Sequence, residues 1–475
     1  MLIQPQQPFN SEIQSVLEVL KTCTLGTPYE GLLYLVGGLL RDRELGLTKA
    51  SDLDLVLEGD AIELARFLFS KGVSSHFPVL YPRFGTAMLS VVTANGECAV
   101  EFVSARSESY SSDSRKPEVQ SASLAQDAFR RDFTINTLME NLHTGEMLDL
   151  TGHAREDLAK GVLRTPLDPK VTFFDDPLRM LRAVRFAAKL GFEIEEGTWE
   201  AIRAEAIRLR PPAIASERIR EEFVKIAALP GANFRRGIEL LKESNLLSEF
   251  LPEMLAMEGC SQGEWHLYDV WEHTLVALEA LPNETNIAAR LGLLWHDIGK
   301  PATRSEDERG IRFYGHPSIG AELSRTIMTR LKFSNDEIRD VTTLVDLHMR
   351  LGDYRPQWTD GTLKRLMRAC GVHLDDLFTM TRCDQNACNI PADVMVSLPN
   401  LRARIDSLNA QTNVLKIDSP LNGLEIMKLL DVGQGSHLQE AKEFLINEII
   451  EGRLPEGDKE AAGKELLRRN ENNGK

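Results

Sequence analysis

No stretch of the 475-residue chain approaches 18 uninterrupted apolar residues, so no helical membrane span is expected. The opening residues, MLIQPQQPFNSEIQ, lack a basic start followed by an apolar core, so no secretion signal is expected and the compartment expected is the cytoplasm. Cysteine is scarce. Cys23, Cys98, Cys260, Cys370, Cys383 and Cys388 lie in apolar segments without a C-x-x-C, which reads as reduced core thiols and assigns them no zinc. Positive charge is in deficit, with 55 Lys and Arg against 71 Asp and Glu, a net charge of −16. A generic polyanion binder is thereby excluded, and partners must be held by local basic patches or by metals. Fixed-period repeats and low-complexity tracts are missing too, apart from the polar end RRNENNGK at 468–475, which is expected to be disordered.

What is present is the composition of folded domains, 43 % apolar and 27 % charged. The length exceeds what a single hydrophobic core sustains, so several domains are expected. Residues 31–60 read as an apolar strand, a glycine turn at Gly37-Gly38, a short helix and the alternating strand SDLDLVLE. GTAMLSVVT and ECAVEFVSA flank Asn95-Gly96, a strong hairpin signal. From DDPLRMLRAVRFAAKLGF onward, apolar residues recur at three and four spacing, broken near Pro211-Pro212, Pro230-Gly231, Pro252, Pro282, Pro391 and Pro420. The expected class is α+β: a small mixed α/β head over 1–140, then an all-helical remainder of neck and body (141–254), a third domain (255–395) and a tail (396–475).

In SDLDL, Asp52 and Asp54 are two apart on a strand and so share a face while Leu53 and Leu55 enter the core. Oxygen ligands without His or Cys suit Mg²⁺, and Glu101 in VEFVSAR offers a third strand-borne carboxylate. Gly37 and Gly38 permit close backbone approach to phosphate, and the following helix offers an anion its N-terminus. A solvated acidic strand face is the bland alternative.

LVGGLLRD, SDLDL, RRDFTIN at 130–136 and DDPLRMLRAVRFAAKLGF at 175–192 resemble, in order and spacing, the signature segments of the tRNA nucleotidyltransferase (CCA-adding) family of the DNA polymerase beta superfamily. The family usually has leucine at the position of Glu44 and alanine at that of Thr137; neither carries metal. The resemblance implies two Mg²⁺ held by Asp52 and Asp54, with Glu101, acting on the 3′-hydroxyl of an RNA and on the α-phosphate of a nucleotide. It implies a triphosphate cradle of Gly37, Gly38 and Arg41, phosphate contacts from Arg130 and Arg131, and ribose contacts from Asp132 and Asn136, with Arg182 and Arg185 also on the nucleotide side. Asp132 as a helix cap stays open beside this. Asp176 and Arg179, three apart at a helix start, share a face. Cytosine and adenine both present an amino donor beside a ring-nitrogen acceptor, so a carboxylate and a guanidinium complement both without a template strand, while a plain helix ion pair is the alternative.

A second constellation comprises His273 in VWEHTLVAL, His296 and Asp297 in LGLLWHDIGKPAT, His316 in GHPSIGAE, His348 in LVDLHMR and Asp384 in TRCDQNAC. It resembles the HD phosphohydrolase domain. The resemblance implies that His273, His296, Asp297 and Asp384 hold one divalent ion, with His316 and His348 placed for a second metal or a substrate phosphate and Lys300 offsetting phosphate charge. Mixed imidazole and carboxylate donors suit Mn²⁺, Fe²⁺, Ni²⁺ or Co²⁺ better than Ca²⁺, with Mg²⁺ open. SPLNGLEIMKLLDVGQG at 419–435 resembles the C-terminal region of such enzymes, implying a tail that grips the tRNA elbow. The expected function is addition of C, C and A to tRNA from CTP and ATP. A bacterial poly(A) polymerase, partial CC-adding or A-adding enzymes, a protein-uridylylating signalling enzyme and a non-catalytic RNA-binding module are the rivals.

Overall fold

A computed structural model describes residues 9–47, 52–94, 96–111, 114–210, 213–263, 267–308, 310–389, 397–411 and 414–473. Asn95, Pro211-Pro212 and Pro391, read above as turn or break signals, lie outside them. The chain divides into two compact units, Met1–Ile226 with Arg236–Phe250, and Ala227–Arg235 with Leu251–Lys475.

The first unit is built on strands β1 (Leu33–Val36), β2 (Leu53–Leu57), β3 (Val79–Tyr81), β4 (Thr86–Thr93), β5 (Gly96–Ser104), β6 (Arg106–Ser111), β7 (Ser114–Ser121), β8 (Met139–Asn141) and β9 (Met147–Leu148). Seven of them form one sheet in the order β3-β4-β5-β2-β1-β8-β9, while β6 and β7 pair with each other. The hairpin expected around Gly96 is present, with β4 and β5 antiparallel from Thr86↔Val103 to Thr93↔Gly96. Apolar residues on one face, among them Leu35, Leu55, Leu89, Val91 and Phe102, are buried beneath the helices Ser11–Thr24 and Ala61–Ser70. Alternation then sends Asp54 and Glu101 to the other face. That face is covered only in part, where Val36, Val56 and Met139 pack with Leu124 and Ala128 of the helix Leu124–Phe129.

The rest is mostly helical, but two short ladders interrupt it where all-helical structure was expected. β10 (Val162–Leu163) and β11 (Glu193–Ile194) pair in parallel across the helix Leu178–Leu190. β12 (Arg304–Asp307) and β13 (Gly310–Phe313) form a hairpin, in which RSED and GIRF are too short to show a period. The tail helices Gly423–Leu430, Ser436–Ile450 and Lys459–Asn473 enclose their own core of Leu421, Ile426, Ala441, Leu445, Leu454, Ala462 and Leu466. The last of them overturns the disorder expected from 468: burial of Ala462 and Leu466 carries the helix through polar residues to Asn473.

In the second unit, Arg290 is 2 % exposed and donates to the carbonyls of Ala227, Leu229, Pro282, Asn283 and Thr285. It therefore fastens the segment Ala227–Arg235 to the helical body by one side chain. Arg290→Met keeps the volume and removes a charged donor from these carbonyls, of which Pro282 O keeps a bond from Thr285 N, for an expected cost of about 3 kcal/mol. Denaturant titration should show a lower midpoint at an unchanged slope; an unshifted midpoint would mean that the carbonyls find other donors.

Candidate catalytic and metal sites

The register sets the first site. Asp54 lies opposite Val36 on one side and Glu101 on the other, so the two carboxylates are nearest cross-strand neighbours on the open face. Asp52 precedes β2 by one residue and is exposed. The Asp54 carboxyl is pushed up to about 7, chiefly by burial and then by the charges of Glu101 and Asp52, against the opposing pull of Arg131. Three acids gathered around one guanidinium leave excess negative charge with oxygen donors alone, a set that fits a hard divalent cation. Gly37 turns the chain at the end of β1 with φ +76°, a conformation that favours glycine, and a Cβ there would stand 3.6 Å from Asp54 Oδ2 and 3.8 Å from Arg131 Nη1.

Behind the acids lies a web of arginines. Asp127 is wholly buried and accepts from Arg130 (2.6 Å) and Arg131 (2.9 Å), which hold its carboxyl low although burial alone would raise it. Asp132 receives Phe133 N (2.8 Å) and Asn136 Nδ2 (2.9 Å) on one oxygen, and Arg182 Nε (2.8 Å) and Nη2 (2.5 Å) on the other. Burial raises its pKa, but Arg182 and Asn136 prevail and bring it to about 2. Asp132 is thus the centre of an ion pair and caps no helix. Arg41, 4 % exposed, bonds Asp42 (2.7 Å) and Asn136 Oδ1 (2.8 Å), so it buttresses Asn136 from within the fold. Arg185 pairs with Glu222 at 2.7 Å. The Phe186 ring collects three guanidinium groups, those of Arg185, Arg41 and Arg182, at 4.3, 5.0 and 5.6 Å from its centroid.

Asp176 and Arg179 do not share a helix face as the spacing suggested. Asp176 is extended (φ −144°, ψ 99°) at the end of the helix Pro169–Asp175, and the next helix begins at Leu178. The following Pro177 explains this, since a residue before proline is driven from the helical region. Asp176 bonds Leu178 N (3.1 Å) and pairs with Arg218 (2.8 Å), while Arg179 Nη2 donates to Arg130 O (2.7 Å). The two side chains are therefore anchored separately, and the helix ion pair is not formed.

The second site, in the other unit, is assembled by the helices Val270–Glu279, Ile287–Trp295, His316–Arg330, Asn335–Leu347 and Leu374–Asn386. Gly299 permits it: a Cβ there would fall 2.2 Å from His316 O and 2.7 Å from Gly320 N. Four histidines place Nδ1 on a backbone carbonyl: His273 on Ala387 (3.4 Å), His296 on Leu293 (2.7 Å), His316 on Phe313 (2.8 Å) and His348 on Val345 (2.6 Å). A carbonyl only accepts, so each Nδ1 carries a proton and each Nε2 is left as a donor atom for a metal. The Nε2 atoms of His273 and His296 are 3.4 Å apart, and those of His316 and His348 are 3.2 Å apart.

Among the described residues, His273, His296 and Asp384 form one group with all ligand atoms within 4.8 Å, and Asp297, His316 and His348 form another. The head carboxylates form no group this tight. Asp297 serves both halves, with Oδ2 3.2 Å from His296 Nε2 and Oδ1 3.4 Å from His316 Nε2. Lys300 reaches Asp297 Oδ2 (2.7 Å) and Gln262 Oε1 (2.6 Å), so its charge is spent on the bridging carboxylate. Burial pushes His296 down, but Asp297 and Asp384 overcome it and hold it up at about 10, whereas burial and then His296 push His348 down to about 3. In the metal-free protein a proton on His296 balances acids that a divalent cation would balance better, and two pairs of facing imidazole nitrogens fit such an ion.

Sequence reasoning missed Asp127, Phe186, Arg218, Glu222 and Gln262. Asp127 could have been found from its three and four spacing to Arg130 and Arg131. Arg218 pairs with Asp176, 42 residues away, and Glu222, besides its local pair with Lys225, pairs with Arg185, 37 residues away; no local pattern marks these two long-range pairs.

Three family models match in order: a poly A polymerase head domain over residues 33–164, a probable RNA and SrmB-binding site of polymerase A over 191–257, and an HD domain over 265–374. A CC-adding tRNA nucleotidyltransferase of Thermus thermophilus is 34 % identical over 72 % of this chain and 77 % of its own length. An A-adding tRNA nucleotidyltransferase of Deinococcus radiodurans is 32 % identical over 67 % and 73 %. The fold is similar to that of the Bacillus stearothermophilus CCA-adding enzyme solved in complex with CTP, with TM-score 0.66 and 23 % identity over 98 % of this chain and 99 % of that one. No helix among the described residues is long and apolar enough to cross a membrane. The identity and coverage shared with the first of these relatives, together with the three ordered domains, place the chain in the tRNA nucleotidyltransferase family.

Proposed function

We propose that this chain adds C, C and A to the 3′ end of tRNA from CTP and ATP, in the cytoplasm and with Mg²⁺. The observation that carries the reading is the pairing of Asp54 with Glu101 on the open sheet face, beside Gly37 and the arginine web. Asp52, Asp54 and Glu101 are the residues that would hold the metal, which when bound acidifies the RNA 3′-hydroxyl and neutralises charge on the departing pyrophosphate. Gly37 and Gly38 offer backbone N–H groups to the triphosphate. Arg130 and Arg131, kept rigid by Asp127, face phosphate charge, while Arg41 and Arg182 hold Asn136 and Asp132 in place for the ribose. Purified protein incubated with 3′-truncated tRNA and each labelled nucleotide in turn tests the reading. Uptake of CMP and then AMP supports it; extension by A alone into long tails supports the polymerase instead. The named activities of the two relatives favour a second reading, addition of CC only or of A only, which the same assay separates.

For base choice, Asp176 accepts from the amino group and Arg179 donates to the ring nitrogen shared by cytosine and adenine. Arg179→Ala is expected to lower incorporation of both CTP and ATP roughly ten- to hundred-fold, the loss of a charge-assisted bond of about 1.5–3 kcal/mol, and to weaken discrimination against UTP and GTP. Steady-state incorporation of all four nucleotides decides, and an unchanged preference refutes the templating role.

The HD centre is proposed as a metal-dependent phosphohydrolase or phosphodiesterase using Mn²⁺, Ni²⁺ or Mg²⁺. The ion would supply Lewis acidity toward a phosphoester; His316 and His348 orient the substrate side, and Lys300 fixes Asp297.

A further inference from the structure

Phe173 and Phe174 end the helix Pro169–Asp175 side by side, yet the core uses only the first: Phe173 is fully buried, whereas Phe174 is 58 % exposed. Packing therefore does not account for an aromatic residue at 174. Its ring is nevertheless held. The Arg208 guanidinium lies 4.4 Å from the ring centroid and is itself fixed by the carbonyls of Phe174 (3.1 Å) and Phe173 (3.5 Å) and by Glu205 at 3.9 Å. A cation thus backs one face of the ring, and the exposure leaves the opposite face to solvent. Val171, three residues earlier on the same helix face, and Ile207, next to Arg208, are exposed as well.

We propose that Phe174, backed by Arg208, is a stacking platform for an unpaired base at the 3′ end of the RNA substrate, an inference that rests on the function proposed above. Three observations favour RNA as the occupant. Asp176, assigned to the base edge, lies two residues beyond Phe174 at the end of the same helix. Lys170, on the same helix as Phe174, and Arg203, on the helix Glu196–Glu205 packed against it, are exposed and suit a phosphate backbone. Arg208 and Ile207 fall within the segment that matches an RNA-binding family model. Stacking also fits the task. Every base has a π-face, so one ring accepts each successive terminal nucleotide as the end grows, which a hydrogen-bonding pocket would not do.

The test compares Phe174→Ala, Phe174→Leu and Phe174→Tyr in the full chain, by steady-state kinetics with 3′-truncated tRNA and CTP and by fluorescence anisotropy with a labelled single-stranded RNA ending in CC. Phe174→Ala and Phe174→Leu should each raise KM for tRNA and the Kd for the oligonucleotide about ten-fold, with KM for CTP unchanged, and Phe174→Tyr should restore both. A leucine variant that behaves as wild type, or an unchanged KM for tRNA in the alanine variant, overturns the platform. So does a wild-type dimer that Phe174→Ala dissociates in sedimentation, which makes the patch a protein contact. If the wild type extends no tRNA, the functional reading has failed, and the anisotropy series alone decides the platform.

Discussion

Asp54→Asn should abolish nucleotide addition while making the metal-free protein more stable at pH 8. Asparagine keeps the shape and one acceptor oxygen but removes the charge at the centre of the acid cluster, where Asp54 neighbours Glu101 directly. Loss of CMP incorporation by at least about a thousand-fold is the expected scale for removing a charged ligand from a metal site. The stability effect has the opposite direction. An unfolded aspartate titrates near 4, whereas the folded Asp54 titrates at about 7, so the native state binds the extra proton over that interval. Asp54's own contribution to the stability of the metal-free wild type therefore falls as pH rises from about 4 to 7 and stays low above it, a contribution isolated by comparing wild type with the variant at each pH. The interval from about 4 to about 7 corresponds to roughly 4 kcal/mol at full burial, and partial solvent access brings the expected gain for the variant to roughly 1–2 kcal/mol. Mg²⁺ should raise the melting temperature of the wild type and leave that of the variant unchanged. Wild-type incorporation by the variant, or a metal-free melting temperature below wild type at pH 8, would sink the assignment.

The sequence made Asp54 legible because strand alternation is short-range: DxD on a strand states which side chains share a face, and Leu53 and Leu55 were placed inward correctly. The Asn-Gly signal likewise located the β4-β5 hairpin through Gly96. The pairing of Glu101 with Asp54 was not legible from spacing, because parallel register between β2 and β5 is set by tertiary packing; resemblance supplied it. The Asp176–Arg179 geometry was misread for a local reason that the sequence did contain, namely Pro177, which drives Asp176 out of the helical region and caps a helix that begins only at Leu178. Arg41 is a different case. The resemblance implied a place for it in the triphosphate cradle, and in the folded protein buried Asp42 and Asn136 hold its guanidinium, which only the folded neighbourhood shows.

For the HD centre, Asp297→Asn and His296→Ala are each expected to remove any Mn²⁺- or Ni²⁺-stimulated hydrolysis of a 2′,3′-cyclic phosphate and to leave nucleotide addition within about two-fold of wild type. Separability follows from placement, since Asp54 belongs to one compact unit and these residues to the other. Asp297 is the more informative position because its two oxygens face different histidine pairs, so one neutral substitution weakens both halves of the site. The charge argument gives a second readout independent of activity. Asp297 and Asp384 keep His296 protonated in the metal-free protein, so binding a divalent ion near pH 8 must release a proton from it. Calorimetric titration with Mn²⁺ in buffers of different ionisation enthalpy should therefore show buffer-dependent heats in the wild type, and the dependence should vanish in His296→Ala. Asp297→Asn should retain weak binding at most, seen as an approximately hundred-fold rise in Kd, the scale set by loss of a metal-facing carboxylate. A wild type that binds no divalent ion in this titration would make the four histidines a structural cluster, and a variant that loses CCA addition as well would show that the two centres are not independent.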